Sequence, residues 1–272
     1  MSGPLERIVV ALDATSENRA AISTAARLAA RWKAHLHGVF FEDDDLIRLA
    51  SLPFARQVSI GFGAERFDVK AAERQLRVYA ERARQELAAS ARRHGVEWSF
   101  EIARGAVATG HSGDADDFLV ACTATRPVGG HFRVECRWWS AEGGGPAARL
   151  LATQEAEPNG AVAALLQGQS ASSGRLLAAA LRLAEANDAR LVVICPAALA
   201  ADAGFKPWLD QQLAGHKVEV DLELLPEGAA AQHRITELRC HYVAVEADSD
   251  EASPDRLRAM MATLACDVLV VR

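Results

Sequence analysis

Short apolar runs alternate with longer amphipathic stretches along most of this chain. Arg7-Ile-Val-Val-Ala-Leu-Asp13 is apolar up to its closing acid, the pattern of a strand covered on both faces. After a turn with Thr15 or Ser16 as N-cap, a helix is expected to about Lys33, with Ile22, Ala25, Ala26, Ala29 and Trp32 on one stripe. Leu36 to Phe41 predicts a second strand. A long helix follows from Val69 to Arg93, opened by Asp68 and stopped by Gly95. Val96 to Ala103 and Phe118 to Cys122 read as further strands. In the second half, Gly160–Gln167, Leu191–Cys195, Val218–Leu225, Tyr242–Glu246 and Asp267–Arg272 read as strands. Ser170–Asn187, Ala230–Arg239 and a last segment from Ser253 to Leu264 read as helices. Strand and helix in alternation predict βαβ units, a parallel sheet and right-handed crossovers.

The order of elements repeats, and so does part of the sequence. Ala26-Arg-Leu-Ala29 followed by Ala34-His-Leu-His-Gly-Val39 matches Leu181-Arg-Leu-Ala184 followed by Ala189-Arg-Leu-Val-Val-Ile194, at a constant offset of 155 residues. Two copies of one α/β unit are expected, at 1–158 and 159–272. Residues 123–158 depart from the pattern. His131-Phe-Arg-Val-Glu-Cys-Arg-Trp138 alternates strictly, so Phe118 to Trp138 is expected as an inserted β-hairpin whose antiparallel strand joins the sheet edge. Pro146 to Gln154 is expected as a short helix.

A length of 272 residues agrees with two domains. The net charge of -6 argues against a uniformly basic nucleic-acid grip, and no apolar run approaches the roughly 20 residues that span a bilayer. Neither nucleic acid nor membrane is therefore an expected partner. Met1 to Asp13 lacks the features of a secretory signal, and the expected location is the cytoplasm. The five cysteines form no CxxC pair, and the eight histidines no HExxH. Buried thiols in a reducing compartment are the expectation, with no metal site.

Together these features resemble the universal stress protein family in its tandem two-domain form. The resembling residues are Ile8-Val-Val-Ala-Leu-Asp-Ala-Thr-Ser-Glu17, the Ala-rich helix, the strand from Ala34, the long helix before strand three, and the closing Asp-Val-Leu-Val-Val271. The resemblance implies two doubly wound, Rossmann-like sheets of the adenine nucleotide alpha hydrolase-like kind, with strand order 3-2-1-4-5. It also implies a role in stress tolerance, last strands joined across a two-fold axis, and a protein partner or homodimer. The family often holds ATP or AMP at the carboxyl ends of its strands.

In open α/β sheets ligands sit at the strand carboxyl ends, where strand order reverses. Asp13 closes strand one there, Thr15 would add a hydroxyl, and Phe41 would wall an adenine. These three are the candidate residues for an adenine nucleotide in the first copy. A triphosphate needs glycine-rich backbone donors. ATP-binding relatives carry G-x2-G, nine residues, then G-Ser/Thr after strand four. Here Gly129-Gly130 and Gly143 to Gly145 stand in that region instead. In the second copy Gln167 replaces Asp13, and Glu246-Ala-Asp-Ser-Asp-Glu251 would repel phosphate. Catalytic residues are not expected: no Ser/His/Asp or Cys/His signature occurs. The expectation is a regulatory or binding protein without resident cofactor. The alternative is an AMP or adenosine sensor that uses the first copy alone. Glu42-Asp-Asp-Asp45 is expected as a solvated loop, His35 and His37 as packing residues, 49–62 as a flap, and Trp138-Trp139 as hairpin packing or a partner anchor.

Overall fold

The computed structural model describes residues 7–14, 18–42, 56–59, 63–66, 69–104, 118–122, 127–128, 131–132, 148–152, 160–226, 231–253, 256–257, 259–261 and 266–272. The first half contributes β1 (Arg7–Leu12), α1 (Asn18–Trp32), β2 (His35–Glu42), a hairpin of β3 (Arg56–Ser59) and β4 (Gly63–Arg66), and α2 (Val69–His94). It continues with β5 (Trp98–Arg104), β6 (Phe118–Cys122), the two-residue strands β7 (Pro127–Val128) and β8 (His131–Phe132), and β9 (Ala148–Ala152). The second half contributes β10 (Ala161–Leu165), α3 (Ala171–Asn187), β11 (Leu191–Pro196), α4 (Ala197–Ala200) and α5 (Phe205–Leu213). It ends with β12 (Val220–Leu225), α6 (Ala231–Glu237), β13 (Cys240–Glu246) and β14 (Asp267–Val271).

Ten strands form one continuous sheet, in the order β12-β11-β10-β13-β14-β9-β6-β1-β2-β5. Each half has the doubly wound order 3-2-1-4-5, and the fifth strands meet antiparallel, with Leu269 opposite Leu150. Apolar clusters cover both faces and each runs through both halves. One holds Ile8, Leu12, Leu150, Leu176 and Leu269; the other holds Val9, Leu151, Val243 and Val268. The uniform apolarity of β1, β10 and β14 follows from this double burial.

The repeat is visible in geometry as well as in sequence. Lys33 and Asp188, 155 residues apart, both take positive φ, 55° and 52°. The next amides repeat too: Ala34 N–H donates to the Ala29 carbonyl and Ala189 N–H to the Ala184 carbonyl, at 3.0 and 2.9 Å. These bonds close both helices in the same way. Gly38 shows why a helix can lie so close to β2: a Cβ there would stand 2.5 Å from Leu87 of α2.

The linker departs from the sequence reading. Residues 148–152 form a strand rather than a helix, pairing parallel with β6 and antiparallel with β14. Ala-Arg-Leu-Leu-Ala carries no period of its own, and the two neighbouring strands decide its conformation. Among the described residues the hairpin is also placed differently. Pro127–Val128 pairs with His131–Phe132 in a separate two-stranded sheet, and β6 pairs parallel with β1 and β9. Residues 133–140, including Trp138 and Trp139, lie outside the described residues, as do 43–45. Part of the expected flap, 56–59, is strand β3.

A buried polar chain ties the halves together. Arg27 of α1 donates to the Tyr242 hydroxyl at 2.7 Å, which in turn donates to Asn187 Oδ1 at 3.3 Å. The Trp32 indole N–H reaches the Arg182 carbonyl at 3.4 Å. Tyr242 is fully buried, and burial raises its phenol pKa above the ordinary value against the opposing pull of Arg27.

Candidate functional site

Sheet register equates positions in the two halves. Ile8 pairs with Leu36 and Phe118, and Val162 pairs with Leu191 and Tyr242. Counting forward from these pairs, Gln167 stands where Asp13 stands, and Glu246 stands where Cys122 stands. The same end of the sheet therefore carries an acid on strand one in the first half. In the second half it carries the acid on strand four.

In the first half, Asp13 follows the pair Leu12↔Phe40, so it lies at register beside Phe41. Both sit at the strand carboxyl ends. Phe41 is buried and packs in the apolar cluster with Val9, Ala11 and Leu119. Thr15 lies outside the described residues. The turn is set by Asn18, which the sequence reading overlooked. Its carboxamide Nδ2 donates to the Asp13 carbonyl at 2.7 Å, and its Oδ1 accepts from the Asp13 amide at 3.3 Å. Asn18 is buried. An Asn at the start of a helix, five residues after a strand-ending acid, was the available signal.

On the face of the sheet opposite Phe41, α2 packs beside α1. Arg19 and Ser23 of α1 lie across a groove from Glu86, Ser90 and Arg93 of α2. The first part of α2, Val69 to Gln85, thus runs past the start of α1, by about 25 Å at 1.5 Å per residue.

The second half is arranged differently at the corresponding end. Ser170 caps α3, and its hydroxyl accepts from the Ser173 amide while the Ser173 hydroxyl accepts from the Ser170 amide. Glu246, at the end of β13, closes the cluster. Its Oε1 accepts from the Ser173 hydroxyl at 2.7 Å and its Oε2 from the Ser172 hydroxyl at 3.3 Å. A protein carboxylate therefore occupies the positive end of α3, where an external anion would otherwise be favoured. Gln167 is exposed. The Ser170-x-x-Ser173 spacing announced the cap; nothing local announced its tie to Glu246, 73 residues away.

Other candidates resolve into packing. His35 and His37 share the Ser99 hydroxyl, each at 2.7 Å, on the paired strands β2 and β5. Cys195, Cys240 and Cys266 are buried and in no disulfide. Burial pushes the Cys240 thiol up to about 11 and the Cys266 thiol to about 12; neither is poised as a thiolate nucleophile. No group of metal-binding side chains occurs among the described residues. None of the described helices is long and apolar enough to cross a membrane.

No family model matches the sequence, and no curated protein matches it. Solved structures do. A universal stress protein from Archaeoglobus fulgidus DSM 4304 superposes with a TM-score of 0.62 at 10% identity, covering 98% of this chain and 96% of that one. A putative universal stress protein from Pseudomonas aeruginosa UCBPP-PA14 superposes with a TM-score of 0.60 at 16% identity, over 98% and 92%. A functionally unknown protein from P. aeruginosa PAO1 matches with the same figures. From end to end, the chain has the tandem α/β fold of the universal stress proteins.

Proposed function

We propose that this is a non-catalytic regulatory or binding protein of the stress-protein type that holds no ATP. The observation that carries the reading is Glu246, held by two serine hydroxyls at the start of α3. Its carboxylate takes the place at which a phosphate would bind, and a second negative group there would be repelled. In the first half the spacing of Gly129, Gly130 and Gly143 to Gly145 supplies no phosphate cradle of the ATP-binding kind. Signal transmission would run through the shared core, since one sheet and the Arg27–Tyr242 bond couple the halves.

A second reading rests on Asp13. At the end of β1, at register beside Phe41, its carboxylate is suited to the hydroxyls of a ribose or the amino group of adenine. AMP or adenosine would then bind to the first half alone. A thermal-shift series with ATP and magnesium, AMP and adenosine separates the readings. A ligand at 100 times its dissociation constant stabilises by about 2.7 kcal/mol. The first reading expects no change with any of the three. A shift with AMP or adenosine alone selects the second, and a shift of several degrees with ATP overturns both.

A further inference from the structure

We propose that the groove between α1 and α2 is a binding site for a small phosphate ester, separate from the crevice at the strand ends. It is a cavity of about 300 Å³ on the outer face of the first half, large enough for a phosphate on a small organic body. Arg19 enters from α1 and Arg93 from α2. Neither guanidinium pairs with a carboxylate among the described residues. Two uncommitted guanidiniums facing one cavity suit a dianion better than a carboxylate, and their planar donor sets match phosphate oxygens.

Hydroxyls complete the donor set. Ser90 lines the groove and is only 7% exposed, yet it makes no hydrogen bond with any described residue. That hydroxyl is therefore available as a donor to a group seated in the groove. Ser23 faces it from α1. The one acid on the lining, Glu86, is engaged by Arg82 at 3.1 Å. The local field is positive: Arg93 and Arg27 both push the His94 imidazole down, adding to the effect of its burial.

The repeat supplies an independent comparison. At the offset of 155 residues, Arg19 and Ser23 correspond to Gly174 and Ala178 in α3. A Cβ at Gly174 would stand 3.2 Å from Gln212 Oε1 of α5. The second half has thus lost both anion-binding side chains and lets the neighbouring helix come close. The arginine-lined cavity belongs to the first half and is not a by-product of the repeated architecture.

Isothermal titration of the intact protein with inorganic phosphate, ribose 5-phosphate and ribose tests the site. Ribose 5-phosphate is expected to bind and ribose not to. Tighter binding of inorganic phosphate than of the ester would overturn the assignment to an ester. Arg19→Gln and Arg93→Gln should each weaken binding about tenfold, and Ser90→Ala by a smaller factor; Glu86→Gln should tighten it. Arg77→Gln, an equal charge loss at an exposed position nearer the start of α2, should leave it unchanged. Asp13→Ala should also leave it unchanged, so failure here is distinguishable from failure of the nucleotide reading. Absence of ester binding, or equal losses for Arg77→Gln and Arg93→Gln, would sink the proposal.

Discussion

The two halves repeat one backbone and differ in where they keep their charge. Both fold as 3-2-1-4-5, and both close the first helix with a positive-φ residue. At the strand carboxyl ends, the first half has Asp13 on strand one and Cys122 on strand four. The second has Gln167 and Glu246 at the same places. Asn18 spends its side chain on the backbone of Asp13. Ser173, 155 residues later, turns instead to Glu246. The second half has thereby become self-contained at its crevice, while the first keeps its acid at the end of strand one. Duplication preserved the core, where every position is pinned from both faces, and let the rims diverge.

The largest expected effect tests how far the halves share that core. Leu150 and Leu269 face each other across the seam and are both fully buried. Leu150→Ala should cost about 2–5 kcal/mol, and chemical denaturation should remain one transition because each face's core spans both halves. Two resolved transitions would show that the halves are stabilised separately.

Alkaline pH should reveal an asymmetry. Cys195, Cys240, Cys266 and Tyr242 all lie in the second half, and burial raises each of them. A thiol that holds its proton more tightly when folded contributes stability below its unfolded value, near 9. That contribution is lost as pH rises through the folded value. The melting temperature should therefore fall from about pH 9 upward, with hydrogen exchange accelerating first in β13 and β14. Earlier loss in β1 and β2 would reverse the assignment.

Smaller changes probe single ties. Tyr242→Phe leaves Arg27 and Asn187 without their shared hydroxyl and should cost about 1–3 kcal/mol. A double-mutant cycle with Arg27→Met should show coupling between the halves; strict additivity would mean the bond contributes nothing. Ser173→Ala removes a capping partner and one donor to Glu246, for about 1 kcal/mol. Its effect on exchange should stay within the first turns of α3.

Much of this was legible because double burial leaves an unmistakable mark. Ile8-Val-Val-Ala-Leu12 and Val268-Leu-Val-Val271 read as strands because no polar residue is tolerated there. The spacing from Ala26 to Val39 gave the duplication. Misreadings arose where neighbours outweigh local pattern. Ala148 to Ala152 became the seam strand because β6 and β14 flank it, although five residues without alternation carry no signal of their own. The alternation after His131 suggested the seam strand in its place. At the crevices Asp13 was visible as a strand-ending acid. The tie from Ser173 to Glu246 was not, because the partner arrives from a strand 73 residues away.

The most direct test of divergence between the halves is the stoichiometry of AMP and ATP binding, by isothermal titration on the intact protein with Asp13→Ala and Gln167→Ala variants. No heat is expected with ATP and magnesium. With AMP at most one site is expected, which Asp13→Ala weakens by about 1.5–3 kcal/mol and Gln167→Ala leaves alone. Two AMP sites per chain, or a site removed by Gln167→Ala and spared by Asp13→Ala, would contradict this divergence of the halves.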